Sequence, residues 1–201
     1  SLSVPVPPSP SATLKLPLPH GDGSVPHSLP VEDPAAVVVD LSATPSTAKR
    51  GGETDTLTSI EGAIGSDKAD TFKGDAQNNE FQGGLGKDTY TGGGGRDVYD
   101  FDKVQDSPAG ASRDVIKDFV PGQDVIDLAG VDGDRTTPGN QAFRWVGSTA
   151  FAANRPGEVG WFTSGTNTII HANTDADSAD ELQIQLTGNI GASLAAADFH
   201  L

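Results

Sequence analysis

Glycine and aspartate recur with a nine-residue period between positions 65 and 100. In consecutive blocks of nine, the sequence reads GSDKADTFK from Gly65, GDAQNNEFQ from Gly74, GGLGKDTYT from Gly83 and GGGGRDVYD from Gly92. The last two blocks match the nonapeptide GGxGxDxUx at every fixed position, where U is a large apolar residue, and the first two are degraded copies in the same phase. The pattern therefore indicates a structural repeat.

Each part of the nonapeptide has a physical role. Glycine at positions 1, 2 and 4 lets the backbone adopt conformations that are closed to other residues, which turns its carbonyl oxygens inward. Position 6 adds a carboxylate, and position 8 places one apolar side chain in the interior of a short strand. Two nonapeptides make one coil, so stacked turns form a cage of about six oxygen ligands, which suits calcium rather than zinc or copper.

The eighteen-residue coil predicts which side chains face each other. Within the repeats, Asp70 faces Asp88 and Asn79 faces Asp97. We expect backbone carbonyls of the turns to complete the cages, and these belong to Gly65, Asp67, Gly83, Gly84, Leu85, Gly86, Gly92, Gly93, Gly94 and Gly95. The alternative is that the acids only solvate a surface.

Acids outside the repeats extend the same phase. Asp114 and Asp124 each lie two residues before an apolar residue, as in the repeat, so they are predicted to face Asp88 and Asp97. Upstream, Asp55 and Glu61 are predicted to cap the turns that hold Asp70 and Asn79. For these four acids the alternative of a solvated surface stays open.

Four segments carry a resemblance to a known family. GGLGKDTYT, GGGGRDVYD, TLTSIEGAIGS from Thr56 and DVIKDFVPGQDVIDLAGVD from Asp114 resemble the RTX calcium-binding β-roll. The resemblance points to the C-terminal domain shared by serralysin-type (M10) metalloproteases and other proteins exported by type I secretion. It implies an all-β fold, in which a right-handed parallel β-roll is followed by a β-sandwich-like C-terminal cap. The chain departs from the family pattern at Lys68, Gln77 and Asn79, which weakens the first cages.

Composition divides the chain into three parts. Residues 1–34 hold nine of the fourteen prolines and are predicted to form an extended linker or arm, because proline resists helix interiors and central strands. The alternating Leu14, Leu16 and Leu18 leave open a strand at a sheet edge. The strand-like run from Ala35 to Leu41 opens the predicted roll, residues 35–128, and short strand-like segments fill the predicted cap, residues 129–201.

Charge and composition exclude several classes of partner. The formal net charge is −15, which argues against nucleic acid or an anionic membrane surface, and no apolar run is long enough to span a membrane. The chain has no cysteine, so disulfides and thiolate metal sites are excluded. About four to six calcium ions would supply about 8 to 12 positive charges against this excess.

No known catalytic motif occurs in the sequence. HExxH, GxSxG and a P-loop are all absent, so we expect no active site in this chain. Trp145 and Trp161 lie in short apolar segments and are predicted to be core residues rather than a sugar-binding surface. The final residues, AAADFHL from Ala195, resemble the acidic and hydrophobic export signal of the family, although His200 departs from it. The alternative is an edge strand or a frayed terminus.

The sequence thus predicts a non-catalytic, calcium-binding RTX domain of a secreted, extracellular bacterial protein. It would fold when calcium binds and would serve as a module for type I secretion, with the ABC exporter as partner. The missing initiator methionine suggests a piece of a longer protein, and the resemblance implies an upstream enzyme such as a protease, a lipase or a polysaccharide-modifying enzyme. The alternative is a calcium-dependent adhesin or polysaccharide-binding module.

Overall fold

The regular secondary structure of the described residues consists almost entirely of short β-strands. The computed structural model describes residues 12–15, 35–151, 155–177 and 179–201. None of the helical segments in these ranges is long or apolar enough to cross a membrane. The strands are β1 (Ala12–Lys15), β2 (Val37–Asp40), β3 (Ser46–Arg50), β4 (Glu53–Leu57), β5 (Ile60–Ile64), β6 (Thr71–Lys73), β7 (Glu80–Gln82), β8 (Thr89–Thr91), β9 (Val98–Asp100), β10 (Asp114–Ile116), β11 (Val125–Asp127), β12 (Arg144–Gly147), β13 (Glu158–Ser164), β14 (Asn167–Asn173), β15 (Leu182–Leu186) and β16 (Phe199–His200).

Successive strands of the repeat region alternate between two parallel sheets. One sheet has the order β1-β5-β7-β9-β11-β16, and the other has the order β12-β13-β14-β15-β10-β8-β6-β2-β3-β4. Thr71 pairs with Thr89 in one sheet and Glu80 pairs with Val98 in the other, so each coil takes eighteen residues. The predicted parallel β-roll of two nonapeptides per coil is confirmed.

One aromatic ring from each nonapeptide fills the space between the sheets. Phe72, Phe81, Tyr90 and Tyr99 are the central residues of their three-residue strands and are at most 1% exposed. Their ring centroids follow each other at 5.3 Å from Phe72 to Tyr90 and 5.6 Å from Tyr90 to Tyr99. Each strand therefore contributes one side chain to the core, as the period predicts, while its neighbours point outward.

The C-terminal strands continue the ten-stranded sheet. β10 pairs in parallel with β15, and β15, β14 and β13 pair antiparallel in turn. Trp145 and Trp161 are partly buried against the core, and Trp145 stacks on Phe199 at 4.5 Å between ring centroids. Both tryptophans thus pack against the core, as predicted, but they stay partly exposed at its edge.

The N-terminal part of the chain differs from the prediction. The strand expected near Ala35–Leu41 is present as β2, but residues 12–15, expected in a linker, form β1 and pair in parallel with β5. The alternative of a strand at a sheet edge thus holds for Ala12–Lys15. The edge of β5 has unpaired backbone groups, and these four residues can bond to them because none is a proline. Leu16 and Leu18 lie outside the described residues.

The C-terminal tail is a strand rather than a free end. β16 pairs with β11 and closes the six-stranded sheet, with Ile126 opposite Phe199. Asp198 is 2% exposed, and its carboxylate accepts hydrogen bonds from the backbone N–H of Gly122 at 2.6 Å and of Ala195 at 2.8 Å. The tail is therefore integrated into the fold, as the alternative of an edge strand requires.

Candidate metal centre

The position-6 residues of the repeats lie at the turns of the roll. Asp70, Asn79, Asp88 and Asp97 each end a glycine-containing turn and immediately precede a strand, and all four are at most 2% exposed. The first residue of β10, Asp114, and the residue before β11, Asp124, are buried in the same way. The alternation of strands between sheets sorts these six residues into two stacks.

The first acidic column consists of Asp70, Asp88 and Asp114. The backbone N–H of each acid donates to Oδ1 of the acid one coil further on, at 2.7 Å from Asp70 to Asp88 and 2.7 Å from Asp88 to Asp114. At the N-terminal end of the column, called its lower end below, the N–H of Val37 donates to Oδ1 of Asp70 at 2.7 Å. The predicted neighbours of Asp88 are confirmed as neighbours, whereas their role as metal ligands stays a prediction.

The second acidic column consists of Asn79, Asp97 and Asp124. The backbone N–H of Asn79 donates to Oδ1 of Asp97 at 2.9 Å, and that of Asp97 donates to Oδ1 of Asp124 at 3.0 Å. At the lower end, Nδ2 of Asn79 donates to the backbone carbonyl of Glu61 at 3.3 Å. Glu61 is therefore beside Asn79, as the eighteen-residue interval predicts.

Asp55 is not brought to the first acidic column. It lies in β4, opposite Ala48 of β3, and β3 and β2 separate β4 from β6. The chain makes the antiparallel strands β2, β3 and β4 before the first coil, so the repeat phase does not extend back to this residue. The backbone of Val37 takes the place predicted for Asp55 beside Asp70.

The turns with the full motif depend on glycine. Gly84, Gly86, Gly93 and Gly95 have φ between +90° and +133°, where side chains are rarely tolerated. A Cβ on Gly86 would lie 2.6 Å from the carbonyl carbon of Lys68. Close packing of these turns brings backbone carbonyls of successive coils together.

The residues whose backbone carbonyls were predicted to be metal ligands lie in these same turns. A Cβ on Gly65 would meet the carbonyl oxygen of Gly83, and a Cβ on Gly83 or Gly92 would overlap the carboxylate of the same turn. Because glycine at position 1 has no side chain, the carboxylates of Asp88 and Asp97 fit inside their own turns. The side chain of Asp67 is exposed, and Leu85 and Gly94 are half-buried at the rim of their turns.

Burial opposes ionisation of the columns. Burial and the charge of Asp114 raise the pKa of Asp88 to about 9, and burial raises the pKa of Asp114 to about 7 and that of Asp97 to about 6. Oδ2 of Asp88 is buried and has no hydrogen-bond partner among the described residues. A buried, unpaired carboxylate oxygen of this kind requires a proton or a cation.

The donor set fits a calcium ion. The candidate ligands are carboxylate and carbonyl oxygens, which are the ligands of hard cations. They include the buried, unpaired Oδ2 of Asp88, which lies next to Gly83. Nitrogen and sulfur ligands, which would favour zinc or copper, are absent from the described turns.

Sequence reasoning missed three residues at the top of the roll. The carboxylate of Asp118 accepts from the N–H groups of Gly92 at 2.8 Å and Gly93 at 3.0 Å. Asp106 is 3% exposed, and its charge further raises the pKa values of Asp88 and Asp114, while burial is the largest cause for both. Ser107 is fully buried and accepts the N–H of Asp114. Asp106 falls at the next position 6 of the nonapeptide, so the period itself pointed to it, whereas Ser107 and Asp118 lie out of phase and had no such signal.

A separate group of acids lies in the turn between β14 and β15. Carboxylate oxygens of Asp175, Asp177 and Glu181 lie within 4.8 Å of one another. Oδ1 of Asp175 accepts from the N–H of Asp177 at 3.0 Å, and Oε2 of Glu181 accepts from the N–H of Thr174 at 2.7 Å. These hydrogen bonds account for the shape of the turn.

Comparison with known proteins gives one family and several related structures. The family described as peptidase M10 serralysin C terminal matches residues 54–200. Two of the similar solved structures are solution structures of subunits of the Azotobacter vinelandii mannuronan C5-epimerase. AlgE6R3 is 26% identical over 69% of this chain and 71% of its own, with a TM-score of 0.49. AlgE6R2 is 28% identical over 69% of this chain and 78% of its own, with a TM-score of 0.44. A comparison with curated protein sequences found no match.

Proposed function

The chain belongs to the peptidase M10 serralysin C-terminal family, and from this premise we propose that it is a calcium-binding RTX module of a secreted protein. The observation that carries the proposal is the buried, unpaired Oδ2 of Asp88 between two other acids of its column. A divalent cation at this point would remove the cost of burying the charge.

The acids of the two columns would hold the ions together with carbonyls of the glycine turns. Asp88 and Asp114 would serve the first column, and Asp97 and Asp124 the second. The lower positions at Asp70, Asn79 and Glu61 would contribute weaker ligation, because the turns there lack the full motif. With two stacks of turns, we expect about four to six ions.

Carboxylate repulsion would make folding depend on calcium. Sites of the extracellular class bind with dissociation constants of about 10⁻⁴ to 10⁻³ M, well above cytosolic calcium levels. The acids would therefore keep the chain unfolded inside the cell. Outside, the binding free energy would become folding free energy, which also opposes return of the chain through the exporter.

Circular dichroism during a calcium titration tests the proposal. We expect a largely disordered chain in chelator, cooperative gain of β structure as calcium reaches millimolar concentrations, and no such gain with magnesium, which demands shorter bonds and keeps its waters. The matched control is Gln77→Ala, which changes an exposed turn residue beside the second column without removing a predicted ligand. An identical folded spectrum with and without chelator would contradict calcium-dependent folding.

We further propose that the tail addresses the chain to a type I exporter and that an enzyme precedes this module in the longer protein. Deletion of Asp198–Leu201 should abolish secretion through a matched ABC exporter. Because Asp198 and Phe199 are buried, the deletion should also lower the stability of the folded domain. Calcium-induced folding of the deleted chain, measured by circular dichroism beside its secretion, separates the two effects. Undiminished secretion of the deleted chain would contradict the role of the tail.

A further inference from the structure

The upper end of the first acidic column is closed by a hydroxyl group. At each lower level, a backbone N–H donates to a carboxylate oxygen one coil further on. At the last level, the N–H of Asp114 donates instead to Oγ of Ser107 at 2.8 Å. Ser107 is fully buried, so its hydroxyl is a structural part of the column rather than a solvated surface group.

The same hydroxyl joins the column to the C-terminal strands. Oγ of Ser107 donates to the backbone carbonyl of Gln183 at 2.5 Å, and the N–H of Gln183 donates to the carbonyl of Ser107 at 3.0 Å. Gln183 belongs to β15, which pairs with β10 so that Ile184 lies opposite Asp114. The backbone of Asp114 is thus held both by strand pairing and by Ser107.

A hydroxyl is chemically suited to this position. It can accept one hydrogen bond and donate another, whereas an ionised carboxylate can only accept and would face the Gln183 carbonyl. It also adds no negative charge beside Asp88, Asp106 and Asp114, whose charges already oppose one another. In the second acidic column, by contrast, the last N–H, that of Asp124, donates to the backbone carbonyl of Val120.

We propose that Ser107 is the positioning residue of the cation site formed by Asp88 and Asp114. It fixes the backbone of Asp114, so that the Asp114 carboxylate stays directed at Asp88, and it ends the column without a further charge. This inference rests on the proposed calcium function. Ser107 lies nineteen positions after Asp88, in the loop between β9 and β10, and it is not itself a proposed ligand.

Terbium luminescence can report the two columns separately. The hydroxyl of Tyr90 donates to Oδ2 of Asp114 at 3.1 Å, and a Cβ on Gly92 would meet both the Tyr99 hydroxyl and the Asp97 carboxylate. The chain contains only these two tyrosines. In a Tyr99→Phe background the tyrosine signal reports the first column, and in a Tyr90→Phe background it reports the second. The double variant supplies the tryptophan background for subtraction.

We expect Ser107→Ala to raise the terbium half-saturation of the Tyr90 signal by about tenfold more than that of the Tyr99 signal, since an unsatisfied buried N–H is costly. The matched control is Thr168→Val. Thr168 is also fully buried, and its hydroxyl accepts from Ile190 at 2.9 Å and donates to the carbonyl of Gly188 at 3.0 Å, away from both columns. Loss of this hydroxyl should affect both signals equally. Calcium competition should reverse each signal.

The possible outcomes separate the inference from the proposed function. Equal shifts of the two signals in Ser107→Ala would make Ser107 a structural residue only and overturn the inference. Absence of terbium and calcium binding in the unsubstituted chain would overturn the proposed function as well. If Ser107→Ala does not fold in saturating calcium, Ser107→Cys replaces it, because the slightly larger thiol leaves no cavity but hydrogen-bonds weakly. A selective loss in Ser107→Cys supports the inference, and equal shifts overturn it.

Discussion

The turns that begin at Gly65 and Gly83 lie one coil apart, and they differ in the number of hydrogen-bond donors that their buried carboxylate receives. In the degraded turn, the carboxylate of Asp70 accepts from the N–H of Val37 at 2.7 Å, the N–H of Ser66 at 2.6 Å and the hydroxyl of Ser66 at 3.0 Å. In the intact turn, Asp88 accepts one hydrogen bond and keeps a buried, unpaired oxygen. The degraded turn thus carries its own neutral donors, whereas the intact turn leaves one carboxylate oxygen without a donor.

The backbone differs in parallel with the donors. Gly84 and Gly86 have φ of +90° and +133°, whereas Ser66 and Lys68, which occupy the same motif positions, do not have positive φ. The hydroxyl of Ser66 also accepts the N–H of Lys68 at 3.1 Å. Loss of glycine and gain of internal hydrogen bonds therefore go together. We infer that folding of the degraded turns depends less on metal than folding of the intact turns.

Removal of the acids should give the largest difference between the two kinds of turn. Asp88→Ala should raise the calcium midpoint for folding by about tenfold or more, because a shared ligand is lost and Asp114 is left less well neutralised. Asp97→Ala should behave similarly, since Asp97 adjoins both Asn79 and Asp124. Asp70→Ala should change the midpoint less, although it should lower thermal stability at every calcium concentration. Circular dichroism at constant ionic strength measures both quantities.

Asn79→Ala completes this series and should be the mildest of the four changes, because a neutral amide is a weaker ligand than a carboxylate. A midpoint for Asn79→Ala as high as that for Asp88→Ala would refute the assignment of ligands. The same holds if Asp70→Ala exceeds both Asp88→Ala and Asp97→Ala.

A side chain at position 4 should distinguish the backbones of the two turns. Gly86→Ala should lower the free energy of unfolding by about 2 to 3 kcal/mol in saturating calcium, because the new Cβ meets Lys68 at a positive φ. Lys68→Ala, at the corresponding exposed position, should change it by no more than about 0.5 kcal/mol. Urea denaturation provides the measurement. Equal effects of the two substitutions would show that both turns tolerate side chains alike.

The raised pKa of Asp88 predicts that the metal-free fold becomes more stable as the pH falls. Burial and the charge of Asp114 raise this pKa to about 9 in the metal-free fold, from 3.8 in the unfolded chain, so the folded state binds more protons between these values. The contribution of Asp88 to stability should therefore be present at about pH 4 and should be lost as the pH rises toward about 9. Circular dichroism in chelator at a series of pH values measures it, and Asp88→Asn, which stays neutral, should weaken the pH dependence. The same pH dependence in both proteins would contradict the assignment.

Restoration of the motif in a degraded turn should give the smallest effect. Asn79→Asp places a carboxylate next to Asp97 and near Glu61, so it should lower stability in chelator and reduce the calcium midpoint by about twofold. Differential scanning calorimetry with and without calcium compares the two conditions. A higher midpoint would mean that the lower turn cannot use an additional acid.

The repeating parts of the molecule could be predicted from the sequence alone. Because a β-strand points alternate side chains to opposite faces, a fixed nine-residue period assigns Phe72, Phe81, Tyr90 and Tyr99 to the core without further information. The same period assigns Asp88 and Asp97 to Asp70 and Asn79 one coil away. Asp114 and Asp124 lie 26 and 27 residues further on, so they were found instead from the local pattern of an acid two residues before an apolar residue. These contacts follow from local geometry that each nonapeptide repeats.

The way in which the repeats begin and end depends instead on the folding of the whole chain. Asp55 shares the local pattern of a cap, yet β2 and β3 intervene between it and Asp70. Ser107 contacts Gln183, which is 76 positions away, and Asp198 contacts Gly122, which is also 76 positions away. Such contacts depend on how non-repeating segments pack against the finished roll, and no period in the sequence records that packing. The columns were therefore readable from spacing, whereas their end groups required the fold.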